Sequence, residues 1–260
     1  FKGIKSRLKL LQSQIGMISE RVLLHNLYAA GDSWKGTRTH AQSALASVLI
    51  PVGFLSTKAG SATSPLSRII LLTGFAGLVF DNFVNGSGKY LGEGDRLKWL
   101  CKLRSIAHGF FIPLLFVPVI ESAMTAGFFP KKFSRVAMGL VGMFALHEVI
   151  DWMKFDIHDM RLVDSREAKK NSAHALSGTL WYSSGKVLKN VIPAALLNLT
   201  LLILGSILRK RGDVAGYWLL VSGIITFIAS GIQKPAIQCY SEPAMVGLIW
   251  AAAARLPLPT

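Results

Sequence analysis

The stretch that decides the fold runs from residue 191 to residue 232. It reads VIPAALLNLTLLILGSIL at 191–208, RKRGD at 209–213 and VAGYWLLVSGIITFIASGI at 214–232. Each apolar block approaches the roughly 20 residues that a helix needs to cross a bilayer. The basic block between them has room only for a tight turn, so the pattern predicts two consecutive membrane helices joined by that turn.

Other apolar segments lie outside this hairpin and bring the total to seven. They are Ala41–Leu55, Ile69–Phe83, Ile106–Phe129, Val136–Met153 and Pro243–Leu256. The first, second and last are short for a span, and Pro51 interrupts the first. We therefore expect an all-α polytopic membrane bundle of six or seven transmembrane helices, and the number depends on whether Ala41–Leu55 crosses.

The composition supports a membrane protein over a soluble one. Of the 260 residues, 51% are hydrophobic and only 17% are charged, and the mean hydropathy is +0.43. A soluble domain carries about 25% charged residues. The net charge of +15 is of the kind seen in nucleic-acid-binding proteins, but the hydropathy argues against nucleic acid as a partner. The 2 cysteines exclude a disulfide-rich scaffold.

The distribution of basic residues between loops predicts the orientation. With seven spans, 20 Lys and Arg residues fall on the side of the N-terminus and 9 fall on the other side. Positive charge collects on the cytoplasmic side of a membrane or its organellar equivalent. The N-terminus is therefore expected in the cytoplasm, stroma or matrix.

The first 40 residues form a separate unit in this interpretation, followed by the bundle at 41–260 with a polar loop at 154–190. Residues Phe1–Gly31 carry apolar side chains at alternating spacings of four and three, with Lys and Arg on the other faces. This pattern predicts a basic amphipathic helix. We expect it to dock on the membrane surface or on other membrane subunits.

Ionisable residues inside the apolar segments mark the expected functional site, because charges within a membrane are costly and usually face the bundle interior. If consecutive segments cross the membrane in opposite directions, which we call antiparallel threading, several of these residues lie at one membrane face. Glu121 then lies toward the opposite face. The converging set is Asp81, His108, His147, Glu148 and Asp151.

Two kinds of ligand suit this set. His108 and His147 lie at similar depth on consecutive segments, where they are suited to clamp a haem or to bind chlorophyll magnesium. Alternatively, the whole set is a metal site for Zn, Fe or Mn. The stretch His147–Asp151 departs from the HExxH zinc motif because Asp replaces the second His, which argues against a zinc protease.

Two further interpretations stay open. In one, the acidic residues only form ion pairs with Arg68, Arg104, Lys154 or Arg161. In the other, the protein is a small transporter in which Pro113 and Pro118 break the third segment and Glu121 carries a proton.

Taken together, these features favour an accessory subunit of a larger membrane complex that stabilises its neighbours and binds pigment or lipid. We expect a thylakoid, inner mitochondrial or bacterial inner membrane. The alternatives are a membrane-embedded metal-dependent enzyme acting on a lipid head group and a small transporter.

Overall fold

The protein is a helical bundle. The computed structural model describes residues 34–57, 62–91, 94–151, 153, 160–162, 181–183, 187–232 and 235–258. The helices in these ranges are α1 (Trp34–Leu55), α2 (Pro65–Leu91), α3 (Asp95–Leu114), α4 (Phe116–Thr125), α5 (Ser134–Asp151), α6 (Val187–Lys210), α7 (Val214–Ile232) and α8 (Pro235–Ala253). The predicted N-terminal amphipathic helix at 1–31 lies outside the described residues, as does most of the polar loop at 154–190.

Short elements connect the helices, and the all-α prediction for the bundle is confirmed. A 3₁₀ turn covers Lys131–Phe133 and leads into α5. Strands β1 (Met160–Leu162) and β2 (Trp181–Ser183) pair in an antiparallel ladder within the predicted polar loop. Each strand has 3 residues, so the ladder closes the loop between α5 and α6 without changing the helical character of the bundle.

Three helical units in the described part of the chain are long and apolar enough to cross a membrane: Pro65–Gly86, Asp95–Thr125 and Ile192–Lys210. The apolar stretches His40–Leu55 and Val214–Ser230 are helical but shorter. An integral membrane protein is therefore supported by three helices, whereas the expected six or seven spans are not established by helix length and composition.

The third predicted segment lies in one long helical unit with an internal break. Helix α3 ends at Leu114 and α4 begins at Phe116, with Leu115 between them. Pro118 has no N–H to donate to the carbonyl of Leu114, so the helical hydrogen-bond ladder is interrupted there. Just before this interruption, the N–H of Leu115 donates to the carbonyls of both Phe111 and Ile112, at 3.2 Å each.

The main apolar core joins α2, α4, α6, α7 and α8. Trp250 of α8 is fully buried in it and stacks on Phe54 of α1, with the ring centroids 4.9 Å apart. Helix α3 packs between α2 and α5, so that α5 lies at the periphery. This arrangement leaves one face of α5 outside the bundle.

Helices α6 and α7 form the predicted hairpin, and glycines allow their backbones to touch. A Cβ built on Gly205 of α6 lies 2.8 Å from Cα of Leu220 in α7. A Cβ built on Gly216 of α7 lies 2.6 Å from the carbonyl carbon of Leu208 in α6. Small residues of this kind let membrane helices approach closely. Gly212 closes the turn with a φ of 75°, which glycine adopts without strain.

Candidate functional site

A polar cluster occupies one end of the bundle, which we call the Asp81 end. Helix α2 supplies Asp81, Asn82 and Asn85, and all three are buried. Asp81 and Asn85 are one helical turn apart and therefore share a face of α2. The amide nitrogen of Asn85 donates to Oδ2 of Asp81 at 2.9 Å. This hydrogen bond holds the carboxylate in place through a contact within α2 alone.

Arg104 of α3 completes an ion pair with this carboxylate. Its Nη1 lies 3.2 Å from Oδ1 of Asp81 and donates to Oδ1 of Asn85 at 2.9 Å. The side chains of Arg104 and Asp81 are only 12% and 11% exposed. A charge pair removed from water in this way requires good geometry and extra hydrogen bonds, and Asn85 supplies them.

His40 of α1 joins the cluster through the side-chain amide of Asn82 on α2. Its Nδ1 lies 2.9 Å from Oδ1 of Asn82, and both side chains are buried. A Cβ built on Gly86 would lie 3.3 Å from Cβ of His40, so α1 and α2 approach closely at this point. The polar cluster therefore also sets the distance between α1 and α2.

His108 and Glu242 lie at the edge of the same cluster. Nδ1 of His108 on α3 is 3.7 Å from Oδ1 of Asp81. Glu242 on α8 is close enough to Asp81 and Arg104 to interact with both electrostatically. The structure thus brings together Asp81 and His108, two of the residues that the sequence analysis assigns to one membrane face.

The other predicted site residues lie on α5. Nδ1 of His147 is 3.6 Å from Oε1 of Glu148, and the His147 side chain is 72% exposed. Asp151 is the last residue of the helix. The predicted set is therefore distributed between the Asp81 cluster and the C-terminal turns of α5.

The structure does not gather these residues as a metal centre in its described part. Among the described residues, no group of three or more His, Cys, Asp or Glu side chains is arranged to hold a metal ion. Of the predicted ion pairs, the one between Asp81 and Arg104 is present. Pigment, haem and metal ligation by the predicted residues remain predictions.

A second polar group lies at the opposite end of the bundle, which we call the Glu121 end. Oε2 of Glu121 on α4 accepts hydrogen bonds from the hydroxyls of Ser64 and Ser67, at 2.6 Å each. Ser64 also caps α2, because its hydroxyl accepts the backbone N–H of Ser67 at 3.1 Å. A carboxylate at a helix N-terminus is favoured by the helix dipole. Glu121 thereby ties α4 to the first turn of α2.

This arrangement predicts that Glu121→Ala destabilises the bundle by about 2–3 kcal/mol, because hydrogen bonds to a charged group are stronger than neutral ones. Glu121→Gln keeps one acceptor and should cost about half as much. Thermal unfolding in mild detergent, followed by circular dichroism, measures both. Equal midpoints for the wild type and Glu121→Ala would exclude a structural role for this carboxylate.

Sequence reasoning missed several members of the Asp81 cluster: His40, Asn82, Asn85 and Arg104 as the specific partner of Asp81. A signal was present for the asparagines, since DNFVN at 81–85 places three polar side chains inside an apolar helix. Polar side chains in membrane helices usually bond across helices. His40 had no such signal, because it lies just before the first apolar segment.

Comparison with known proteins adds no functional assignment. No protein-family model matches the chain, and no curated protein matches it in sequence. The argument for function therefore starts from the geometry of the two ends and of α5.

Proposed function

We propose that this protein is an accessory subunit of a larger complex in an energy-converting membrane, where it stabilises neighbouring subunits and binds pigment or lipid. In this proposal α1, α2, the α3–α4 pair, α5, α6, α7 and α8 each cross the bilayer. The membrane is a thylakoid, inner mitochondrial or bacterial inner membrane. The N-terminal amphipathic helix contributes to docking on other subunits.

The observation that carries the proposal is the outward face of α5. Val136, Leu140, Met143 and Leu146 are exposed along it, and His147 is exposed beside them. Lipid tails cover the apolar side chains well, but they leave the polar atoms of an imidazole unsatisfied, which is costly. A neighbouring subunit or a pigment bound to His147 removes that cost.

Each of the two predicted histidines has a carboxylate beside one of its ring nitrogens. Glu148 faces Nδ1 of His147, which leaves Nε2 for a ligand outside the chain. Asp81 lies beside Nδ1 of His108 in the same way. A carboxylate beside one imidazole nitrogen favours protonation of that nitrogen, which leaves the other nitrogen as the ligand atom. In this proposal His108 and His147 would each hold chlorophyll magnesium or haem iron through Nε2.

The test is to purify the native protein gently, separate it on a native gel, and record its absorption spectrum and metal content. We expect an assembly much larger than the 28.3 kDa chain, with Soret and longer-wavelength bands that migrate with it. His147→Leu keeps the α5 face apolar while removing the ligand. It should weaken the bands and release the chain from the assembly.

Met143→Leu is the matched control, because it changes a neighbouring exposed side chain on the same face without touching an imidazole. A colourless wild-type monomer would contradict the subunit proposal. Bound Zn, Fe or Mn in that monomer would favour the metal-dependent enzyme instead. Identical behaviour of His147→Leu and Met143→Leu in a coloured complex would remove His147 as a ligand.

A further inference from the structure

The Glu121 end carries a basic surface that lies away from the α5 docking face, and the lipid site proposed on it rests on the lipid binding in the proposed function. We define it by five exposed cations: Lys132, Arg135, Arg209, Lys210 and Arg211. The first two lie where the chain enters α5, and the other three lie where α6 turns into α7. Both places are at the same end of the bundle, because Arg211 after α6 contacts Phe128 just before α5.

A direct contact joins the two parts of this basic surface. The guanidinium of Arg211 lies over the ring of Phe128, 5.0 Å from its centroid, and Phe128 belongs to the α4–α5 connection. In that connection, Nζ of Lys132 lies 5.4 Å from the ring centroid of Phe133. The basic surface is therefore a structural unit, and aromatic rings lie beneath two of its cations.

The acidic residues at this end are engaged elsewhere. Asp213 pairs with Arg255, and it also accepts the backbone N–H of Ala215 at the start of α7. Glu121 accepts the two serine hydroxyls of the α2 cap. Among the residues that the structure describes, none of the five cations of the basic surface has an acidic partner. Their charge is therefore available to a ligand.

Capping of α6 does not account for these cations either. Basic side chains near a helix C-terminus often bond to its last carbonyls. Here the backbone does so, because Gly212 N–H donates to Arg209 O at 2.9 Å and Asp213 N–H donates to Leu208 O at 3.0 Å. The side chains of Arg209, Lys210 and Arg211 are exposed and are not needed to cap α6.

The surroundings are those of a membrane interface. Phe129 and Phe133 are exposed next to the basic surface, and the apolar parts of α5 and α6 continue from it. Exposed aromatic rings below a layer of Lys and Arg are the arrangement by which proteins hold anionic lipid. A soluble anion would use the cations but not the exposed rings.

We propose that the basic surface binds the phosphate head groups of anionic phospholipids in the leaflet at the Glu121 end. Arg209, Lys210 and Arg211 contact the head groups, Lys132 and Arg135 extend the site along the start of α5, and the phenylalanines lie against the acyl chains. This site is independent of α5 docking through His147, which lies near the other end of the same helix.

Titration of the full chain in mild detergent with phosphatidylglycerol, followed by native mass spectrometry, tests the proposal. The wild type should bind phosphatidylglycerol and discriminate against phosphatidylcholine. Arg209→Gln/Arg211→Gln should weaken binding by about 30-fold, since each cation near an anionic surface contributes about fivefold. Raising the salt concentration should weaken wild-type binding as well.

The matched control is Arg96→Gln/Lys102→Gln, which removes the same charge from α3 at the Asp81 end and should leave binding unchanged. Equal losses in the two double variants would overturn the proposal, because net charge alone would then explain the effect. Displacement of phosphatidylglycerol by inorganic phosphate at similar concentration would also overturn it, since a soluble anion would then suffice. Binding of phosphatidylglycerol to Arg209→Gln/Arg211→Gln with wild-type affinity would also overturn the proposal.

Discussion

Gly205→Ala is expected to disrupt the α6–α7 hairpin and to reduce strongly the yield and thermal midpoint of the solubilised protein. The added methyl group would lie 2.8 Å from Cα of Leu220 and 3.0 Å from the carbonyl carbon of Leu219. These are backbone atoms, which cannot rotate away as a side chain does. Overpacking that side chains absorb costs about 1–3 kcal/mol, so we expect a loss at or above the top of that range.

Gly142→Ala is the matched control for this prediction. It adds the same methyl group to α5, where the new position has no described neighbour within 4 Å beyond the backbone of its own helix and the adjoining residues. Alanine is favoured over glycine in a helix by roughly 1 kcal/mol, so this variant should be neutral or slightly stabilised. Thermal unfolding of both variants in the same detergent gives the comparison. Equal midpoints would show that the hairpin tolerates separation of its backbones.

A second glycine makes the test more specific. Gly216 lies on the opposite helix and would place its methyl group against Leu208 and Arg209. Gly216→Ala should therefore resemble Gly205→Ala in magnitude, although the two residues lie on different helices. The double variant should be less destabilised than the sum of the singles, because one separation of α6 from α7 relieves both clashes.

Apolar run length predicts the presence of the helices better than it predicts where they begin and end. The segments beginning at Ala41 and Ile106 belong to helices that begin at Trp34 and Asp95. Hydropathy reports the part of a helix that suits lipid, whereas the helix itself continues through its polar turns. The break at Leu115 was foreseeable, since a proline inside a helix removes a hydrogen bond.

The sequence predicts the end of the bundle at which the site lies better than it predicts which side chains contact each other there. Antiparallel threading places Asp81 and His108 at one end, and the structure brings them within 3.7 Å. Threading carries no information about the rotation of each helix about its axis. That rotation directs Arg104 toward Asp81 and leaves His147 exposed on the outer face of α5. The partners His40 and Asn82 depend on the same rotation and were missed for that reason.

Loss of the Asp81 carboxylate is the second prediction with a large expected effect. Asp81→Leu leaves the Arg104 guanidinium in a largely buried position without its carboxylate, and it removes an acceptor from Asn85. Breaking a buried ion pair by deleting one partner costs about 3–5 kcal/mol. We expect a loss of this size in the free energy of unfolding, measured by thermal or denaturant unfolding in detergent.

Arg104→Met tests the other half of the pair, and the double variant Asp81→Leu/Arg104→Met tests their coupling. Replacing a whole buried ion pair by apolar residues is often close to neutral. The double variant should therefore be more stable than the sum of the single losses predicts. Strict additivity would mean that the two side chains act independently, in spite of their 3.2 Å separation.

The same variants separate a purely structural cluster from one that positions a ligand. Asp81 lies beside Nδ1 of His108, so its removal would change the absorption of a pigment or haem held by Nε2 of His108. In that case Asp81→Leu should shift the absorption bands of the purified complex, and Asp81→Leu/Arg104→Met should restore stability without restoring the spectrum. A spectrum that recovers together with stability would assign Asp81 to helix packing alone. An unchanged spectrum in the stably folded double variant would remove His108 from the proposed ligands.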